Sequence, residues 1–362
     1  MSDPTADLKN EVIENFGTPC HVVDLDVIER NIERAQSLCN AAGLANRPHI
    51  KTHKSPVLAH MQIDAGARGI TCQKLGEAEI MADAGITDIV IATNLLGASR
   101  SGKLADLQRR IPLKVCADNP VSLEAYARAA KDANRALDVL IECETGQKRA
   151  GVETPREALA LAQAIKDDQW LNFAGLLYYP SLDGWPRTQD FHNEVSAGLA
   201  SIGLFPKIVS TGGTPNFTHI GELEGATEHR AGTCIFNDMM MVDVGFATLE
   251  DCALHVYTSV VSRGGVDRGI LDAGSKTLTS DTGGRESYGR ILEHPNARIH
   301  KLAEEHGFLD LTRCNDKPEV GEIVRVVPNH VCVAVNMVDQ LVAVRGGSIV
   351  EVIPVAARGL LV

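Results

Sequence analysis

Short runs suited to β-strands recur along the first two thirds of the chain, at residues 47–51, 69–73, 88–93, 113–117, 136–142, 173–179 and 207–211. Alanine-rich stretches of helical periodicity lie between them, at 75–84, 122–134, 155–166 and 190–202. Strands separated by such helices run parallel, and their crossovers are right-handed almost without exception. Six or more units of this kind predict an α/β protein whose sheet closes into a (β/α)8 TIM-type barrel, which takes ~250 residues. The expected barrel spans 18–247, opening with a strand that enters a helix at 18–26. An open doubly wound sheet is the rival architecture, but no GxGxxG follows the first strand. Near Thr248 the composition shifts to Val- and Ile-rich runs at 252–262, 268–272, 322–328, 331–338, 340–345 and 348–355. Gly264-Gly265 and Gly346-Gly347 suit hairpin turns between them. A mostly antiparallel β-domain is therefore expected over 248–362, with residues 1–17 packed on it.

The run Arg47-Pro48-His49-Ile50-Lys51-Thr52-His53-Lys54-Ser55 concentrates cationic and imidazole groups where the pattern calls for a short strand. Pro48 fixes its own φ and biases Arg47 to extended geometry, so His49, Lys51 and His53 share one face of that strand. A lysine facing inward is costly to desolvate unless it is neutral, and a neutral amine is what Schiff-base chemistry requires. The alternative is a solvated strand end with ordinary surface lysines.

Three further motifs carry candidate chemistry. Ser210-Thr211-Gly212-Gly213-Thr214-Pro215 follows a β-branched run, and its adjacent glycines let backbone N–H groups converge on a phosphate, unless they mark only a turn. Glu228-His229-Arg230-Ala231-Gly232-Thr233, one unit later, completes such a cup. Arg149 stands just past a strand end, where it meets either a ligand oxyanion or solvent. In Pro328-Asn329-His330-Val331-Cys332, a strand would project His330 and Cys332 from one face, as two ligands of one metal must be. Imidazole with thiolate suits Zn²⁺; a buried cysteine beside a satisfied histidine is the plainer reading. His306 is a further imidazole in the same region.

Composition removes several function classes. The net charge is -12, and lysines and arginines are scattered, which argues against a nucleic-acid partner. No apolar run approaches the ~18 residues that span a bilayer, so no membrane is expected. Met1-Ser2-Asp3-Pro4-Thr5 has no basic and apolar leader pattern, and a cytoplasmic location is expected. The nine cysteines form no CxxC, and most sit in apolar runs, as reduced core residues do.

Taken together, TPCHVVDLDVIERNI, RPHIKTHKS, GITCQKLGEAE, STGGTP, HRAG, ILDAGSK, EHG, PNHVC and PVAARG resemble, in order and spacing, the D-threonine aldolase and D-serine dehydratase-like family. The resemblance covers nearly the whole chain. It implies the alanine-racemase type of fold, a barrel plus a β-domain, acting as a homodimer with pyridoxal 5'-phosphate. Residue by residue, it implies that Lys51 binds the cofactor's aldehyde and that Arg149 contacts its phenolic oxygen. Tyr179 matches an aromatic near the ring, and Thr211, Gly212, Gly213, Thr214, Gly232 and Thr233 match the phosphate cup. His330 and Cys332 match the pair that holds a divalent metal, Zn, Mn or Mg. His-x-Cys and Thr214-Pro215 are similar to the dehydratases, whereas Val335-Asn336 and the tail from Pro354 to Gly359 are similar to the aldolases. The implied activity is a metal-assisted lyase acting on β-hydroxy-D-amino acids, by retro-aldol cleavage to glycine and an aldehyde. β-Elimination to a 2-oxo acid and ammonia is the alternative. An amino-acid racemase, for which a metal pair has no purpose, and a non-catalytic carrier of the cofactor, which lacks a β-domain, are the remaining rivals.

Overall fold

The computed structural model of the chain describes residues 4–362. Two compact units emerge, one comprising Arg34–Lys51, Pro56–Gly232 and Leu360–Val362, the other the residues up to Glu33, Thr52–Ser55 and Thr233–Gly359. In chain order the elements begin with α1 (Pro4–Phe16), β1 (Cys20–Asp24) and α2 (Leu25–Ala41). The first unit then carries β2 (Ala45–Asn46), α3 (Pro56–Asp64), β3 (Ile70–Cys72), α4 (Leu75–Asp83), β4 (Ile89–Ile91) and α5 (Ala98–Arg110). It continues with β5 (Leu113–Ala117), α6 (Pro120–Ala133), β6 (Leu137–Cys143), α7 (Pro155–Asp167), β7 (Leu171–Tyr178), α8 (Trp185–Ser201), β8 (Ile208–Gly212) and β9 (Glu228–Arg230).

Strands β2 to β9 form one all-parallel sheet of order β2-β9-β8-β7-β6-β5-β4-β3. A parallel bridge between His49 and Thr71 joins its two ends and closes the barrel. Period-two alternation sorts the strand residues, as in β5, where Leu113, Val115 and Ala117 pack against the helices. Cys116 joins Val90, Leu140, Ala174 and Ile208 in a separate, inner cluster. At Gly175 in β7 φ is +156°, and a Cβ there would lie 1.8 Å from the Ile208 carbonyl oxygen, so only glycine lets β7 approach β8.

Local chemistry explains most boundaries. The Asn119 side chain accepts the Ser122 N–H at 2.9 Å and Pro120 occupies the first turn, so α6 begins two residues ahead of the expected 122. Thr154 and Glu157 form a capping box that starts α7 at Pro155, as expected. Helix α8 begins at Trp185, ahead of the expected 190, because Pro186 fits the first turn.

The expected strand at 47–51 is a correction. The ladder of β2 ends at His49, and Ile50–Thr52 turn as a 3-10 helix, with the Lys51 N–H reaching the His49 ring at 3.4 Å. His49, Lys51 and His53 therefore do not share a strand face.

The second unit has a nine-stranded sheet, with β1 at its middle, antiparallel to β10 (Leu254–Gly264) and parallel to β16 (Gln340–Arg345). Although 18–26 was expected to open the barrel, β1 thus belongs to this sheet. Helices α9 (Met239–Asp243) and α10 (Ser275–Leu278) join strands β11 (Arg268–Leu271), β12 (Arg290–Ile291), β13 (Arg298–Leu302), β14 (Gly307–Asp310), β15 (Ile323–Val327) and β17 (Ser348–Pro354). Apart from the β1–β16 pair, the ladders are antiparallel, and hairpins turn at Gly264-Gly265 and Gly346-Gly347 as expected. Leu8 and Val12 of α1 are buried with Val22, Tyr257, Val342 and Val344. Of the segment 1–17 expected to pack on this domain, residues 1–3 lie outside the described residues. The expected strand at 331–338 is a second correction: Val331–Val335 form a short helix, α11. Their β-branched, alternating pattern is overridden because the buried Asp238 carboxylate accepts the Val331 N–H at 3.1 Å and turns the chain there. Among the described residues no helix is long and apolar enough to cross a membrane.

A fully buried ion pair ties the barrel's ends together: Arg47 Nε donates to Glu228 Oε2 at 2.8 Å, both side chains being 0 % exposed. Arg47 also reaches Asp88 Oδ1 at 2.7 Å, which accepts from Lys114 at 2.9 Å. Removing one member leaves a buried charge uncompensated, at a cost of roughly 3 to 5 kcal/mol. Arg47→Leu is therefore expected to lower unfolding free energy by about that much, measured by denaturant titration, and Arg47→Leu combined with Glu228→Gln to recover part of it. A loss below about 1 kcal/mol would show the pair to be dispensable.

Candidate functional site

Four of the candidate residues follow the carboxyl ends of barrel strands. Lys51 lies beyond β2, Arg149 beyond β6, Tyr179 directly after β7, and Gly213 directly after β8. Parallel sheets put ligands at this end, where loops are free to vary. Lys51 is half-buried in its 3-10 turn. The neighbouring His49 is buried, its ring bonded to Gln73 Oε1 at 3.1 Å. Burial first, and then the charges of Lys51, Arg230 and Arg149, hold the His49 imidazole well below its ordinary range. One neutral imidazole and three cations thus converge at this end of the barrel, which suits an anionic ligand.

Arg149 sits over the Tyr179 ring, 5.0 Å from its centroid, and lies 3.8 Å from Glu142. Tyr179 in turn faces Gly213, whose φ is +105°; a Cβ there would stand 2.9 Å from the Tyr179 ring. Gly213 is therefore required by the close approach of that ring. The Gly213 N–H donates to the Arg230 carbonyl at 2.7 Å. Thr211 is fully buried, with its hydroxyl at 2.9 Å from His229 Nδ1, and His229 Nε2 meets the Gly213 carbonyl at 3.1 Å. Burial pushes the His229 imidazole down to about 3, so it stays a neutral strut under the loop. Thr214 is buried at the start of the 3-10 turn Pro215–His219. Gly232 is buried after β9.

Arg230 was noted only as part of its loop, yet it is buried beneath these residues. Its Nε donates to Ser210 Oγ at 2.8 Å and its guanidinium to the Tyr178 carbonyl at 2.7 Å.

In the second unit His330 caps α11 and Cys332 lies in its first turn, so the pair meets across a helix start and not along a strand. Cys332 is the one cysteine of the nine that is not buried. Its sulfur lies 3.1 Å from the Thr52 hydroxyl and 3.9 Å from that of Thr233. Thr52 is the residue that follows Lys51 in the chain. Asp281 Oδ2 bonds His330 Nδ1 at 2.6 Å. The hydrogen bond to Cys332, against the opposing effect of burial, pushes the His330 imidazole up to about 9, with Asp281 adding to it. An ion at this pair would compete with that proton. Among the described residues no group of three or more His, Cys, Asp or Glu is arranged to hold a metal. The donors present suit a divalent ion with two protein ligands, and the carboxylate behind the imidazole is the usual support for such a ligand. Asp281 was missed because nothing local in Ser280-Asp281-Thr282 marks it. His306 does not join this group; its carbonyl accepts the Ala303 N–H in a turn.

Residues 23–239 match the alanine racemase N-terminal domain family, and residues 253–344 match a putative serine dehydratase domain. A D-threonine aldolase from Arthrobacter sp. is 33 % identical over 355 residues, covering 94 % of this chain and 93 % of its own. A D-threo-3-hydroxyaspartate dehydratase from Delftia sp. is 33 % identical over 358 residues, covering 89 % and 92 %. A cysteine-to-alanine variant of D-threo-3-hydroxyaspartate dehydratase has been solved in a metal-free form. The crystal structure of a D-threonine aldolase from Filomicrobium marinum superposes with a TM-score of 0.88 at 32 % identity, covering 95 % and 96 %.

Gly213→Ala introduces both the unfavourable φ and the contact with Tyr179. It is expected to weaken binding of pyridoxal phosphate by about tenfold or more, read by titrating the apoprotein spectroscopically, while the thermal midpoint moves little. Unchanged affinity would show that this loop does not border the cofactor.

Proposed function

Because the chain belongs to the D-threonine aldolase and D-serine dehydratase-like family of pyridoxal-phosphate-dependent lyases, we propose that it cleaves β-hydroxy-D-amino acids to glycine and an aldehyde, with a divalent metal. The single observation that carries this reading is the Thr52–Cys332 hydrogen bond. It links a soft metal-ligand pair to the residue next to the cofactor lysine, and a racemase has no use for that pair.

Each residue then has a physical task. Lys51 would hold the cofactor's aldehyde through its amine and serve as a proton carrier. Arg149 would meet the phenolic oxygen with a charge-assisted hydrogen bond, from a guanidinium that lies over the Tyr179 ring. Thr211, Gly212, Gly213, Thr214, Gly232 and Thr233 hold the phosphate, with His229 bracing the first loop. His330 and Cys332 hold the metal, with Asp281 fixing the ring of His330. Pyridoxal phosphate supplies the electron sink for a bond broken at Cα. A divalent ion supplies a Lewis acid that lowers the pKa of a hydroxyl. The residues fit both groups: the cations converge where an anionic cofactor is needed, and the thiol and imidazole are already bonded to each other. A homodimer and a cytoplasmic location complete the proposal.

Dehydration to a 2-oxo acid and ammonia is the second reading. His-x-Cys favours it, since the metal-free dehydratase structure is that of a cysteine variant.

Product analysis with D-threonine separates the two. Glycine and acetaldehyde are expected; 2-oxobutanoate and ammonia would establish the dehydratase instead. Exhaustive chelation is expected to abolish turnover while leaving the visible absorbance of the bound cofactor, and added Mn²⁺ or Zn²⁺ to restore it. Full activity in chelated enzyme, with no metal found by elemental analysis, would remove the metal role and favour the racemase.

A further inference from the structure

At the opposite, amino-terminal mouth of the barrel lies a cavity of about 590 Å³, within the first unit. Its cationic lining comes from four separate places: Arg68 just before β3, Lys114 in β5, Lys166 in the last turn of α7, and Lys207 just before β8. Asp138 is the lone carboxylate in the lining, and it already accepts from Asn172 at 3.1 Å. Lys114 is held by Asp88 and Lys166 donates to the Ile202 carbonyl at 2.6 Å. The side chains of Arg68 and Lys207 have no hydrogen-bond or ion-pair partner among the described residues.

Acidic residues outnumber basic ones by 47 to 35 in this chain, whereas this lining carries four cations and one carboxylate, and even with Asp88 pairing Lys114 from outside it the balance stays positive. The remaining wall is apolar, with Phe173, Leu171, Leu204 and Ile208. A cavity of this size, mostly apolar on one side and carrying unpaired charge on the other, has the make-up of a small-molecule site. None of the residues assigned to the lyase chemistry lines it; those follow the carboxyl ends of the strands.

We infer that this amino-terminal cavity binds a small organic anion that carries two negative charges at one end and an apolar body. Arg68 and Lys207 take the charged end, with Lys114 and Lys166 adding to the field, and Phe173 covers the apolar body.

Isothermal titration of the holoenzyme with phenyl phosphate and with inorganic phosphate tests this, since the cofactor then fills the phosphate cup, and repeating the titration with D-threonine's non-reacting analogue D-alanine present covers the substrate position. Phenyl phosphate is expected to bind once per chain, and several-fold more tightly than inorganic phosphate. Arg68→Gln combined with Lys207→Gln is expected to weaken it by about tenfold or more, because two charge-assisted contacts are lost. Turnover of the amino-acid substrate should be unchanged in that variant, as neither residue touches the catalytic end. The inference is overturned if neither probe binds at concentrations on the order of millimolar, or if the double variant binds as the parent does. Equal binding of the two probes would equally remove the apolar part of the assignment.

Discussion

The guanidinium of Arg47 is fully buried, and the barrel is arranged around satisfying it. Glu228 on β9 and Asp88 ahead of β4 supply the counter-charges, so one side chain fastens the first strand to β9 on one side and, past β3, to the start of β4 on the other. A cation in that position is tolerated only when it is fully paired. Once it is, the chain leaves β2 in a fixed direction, and the turn that carries Lys51 begins four residues later. A Cβ at Gly69 would lie 2.8 Å from the same guanidinium, which shows how little slack the closure has.

The loops at the carboxyl end are held by neutral struts together with the buried Arg230 guanidinium. Thr211 and His229 brace the glycine pair from below, and burial keeps that imidazole uncharged. The cations Arg149, Arg230 and Lys51 are left as the charged groups around His49. Glu142, 3.8 Å from Arg149, offsets part of this positive field, and the remainder suits an anion. The His330–Cys332 pair has a different support: the Asp281 carboxylate lies on the imidazole and the Thr52 hydroxyl on the thiol, and both contacts orient the side chains.

Much of this was legible in the sequence, for identifiable reasons. The alternation of strand and helix requires parallel strands, the absence of a GxGxxG after the first strand favoured a barrel over an open sheet, and the hairpin glycines announced the second sheet. Two local readings failed where tertiary contacts outweigh propensity. Residues 47–51 look extended because of Pro48, but the chain turns once His49 has made its last ladder contact. Residues 331–335 alternate as a strand does, yet the buried Asp238 takes the Val331 N–H and starts a helix. The pairing of β1 with β10 and β16 was also hidden, because a strand followed by a helix reads the same whichever sheet it joins. At the site, Lys51, Arg149 and the glycine loop stood out by residue type. Asp281, Thr52 and Arg230 did not, because their importance lies in contacts across 49, 280 and 52 positions of sequence.

The central claim is that Lys51 is the lysine that holds the cofactor, placed by the turn that follows Arg47. Borohydride reduction of the holoenzyme fixes pyridoxal phosphate covalently to its lysine, and peptide mapping then identifies the residue. The account predicts the label on Lys51, with none on the adjacent Lys54. A label on Lys54, on Lys276 or on any other lysine would contradict it.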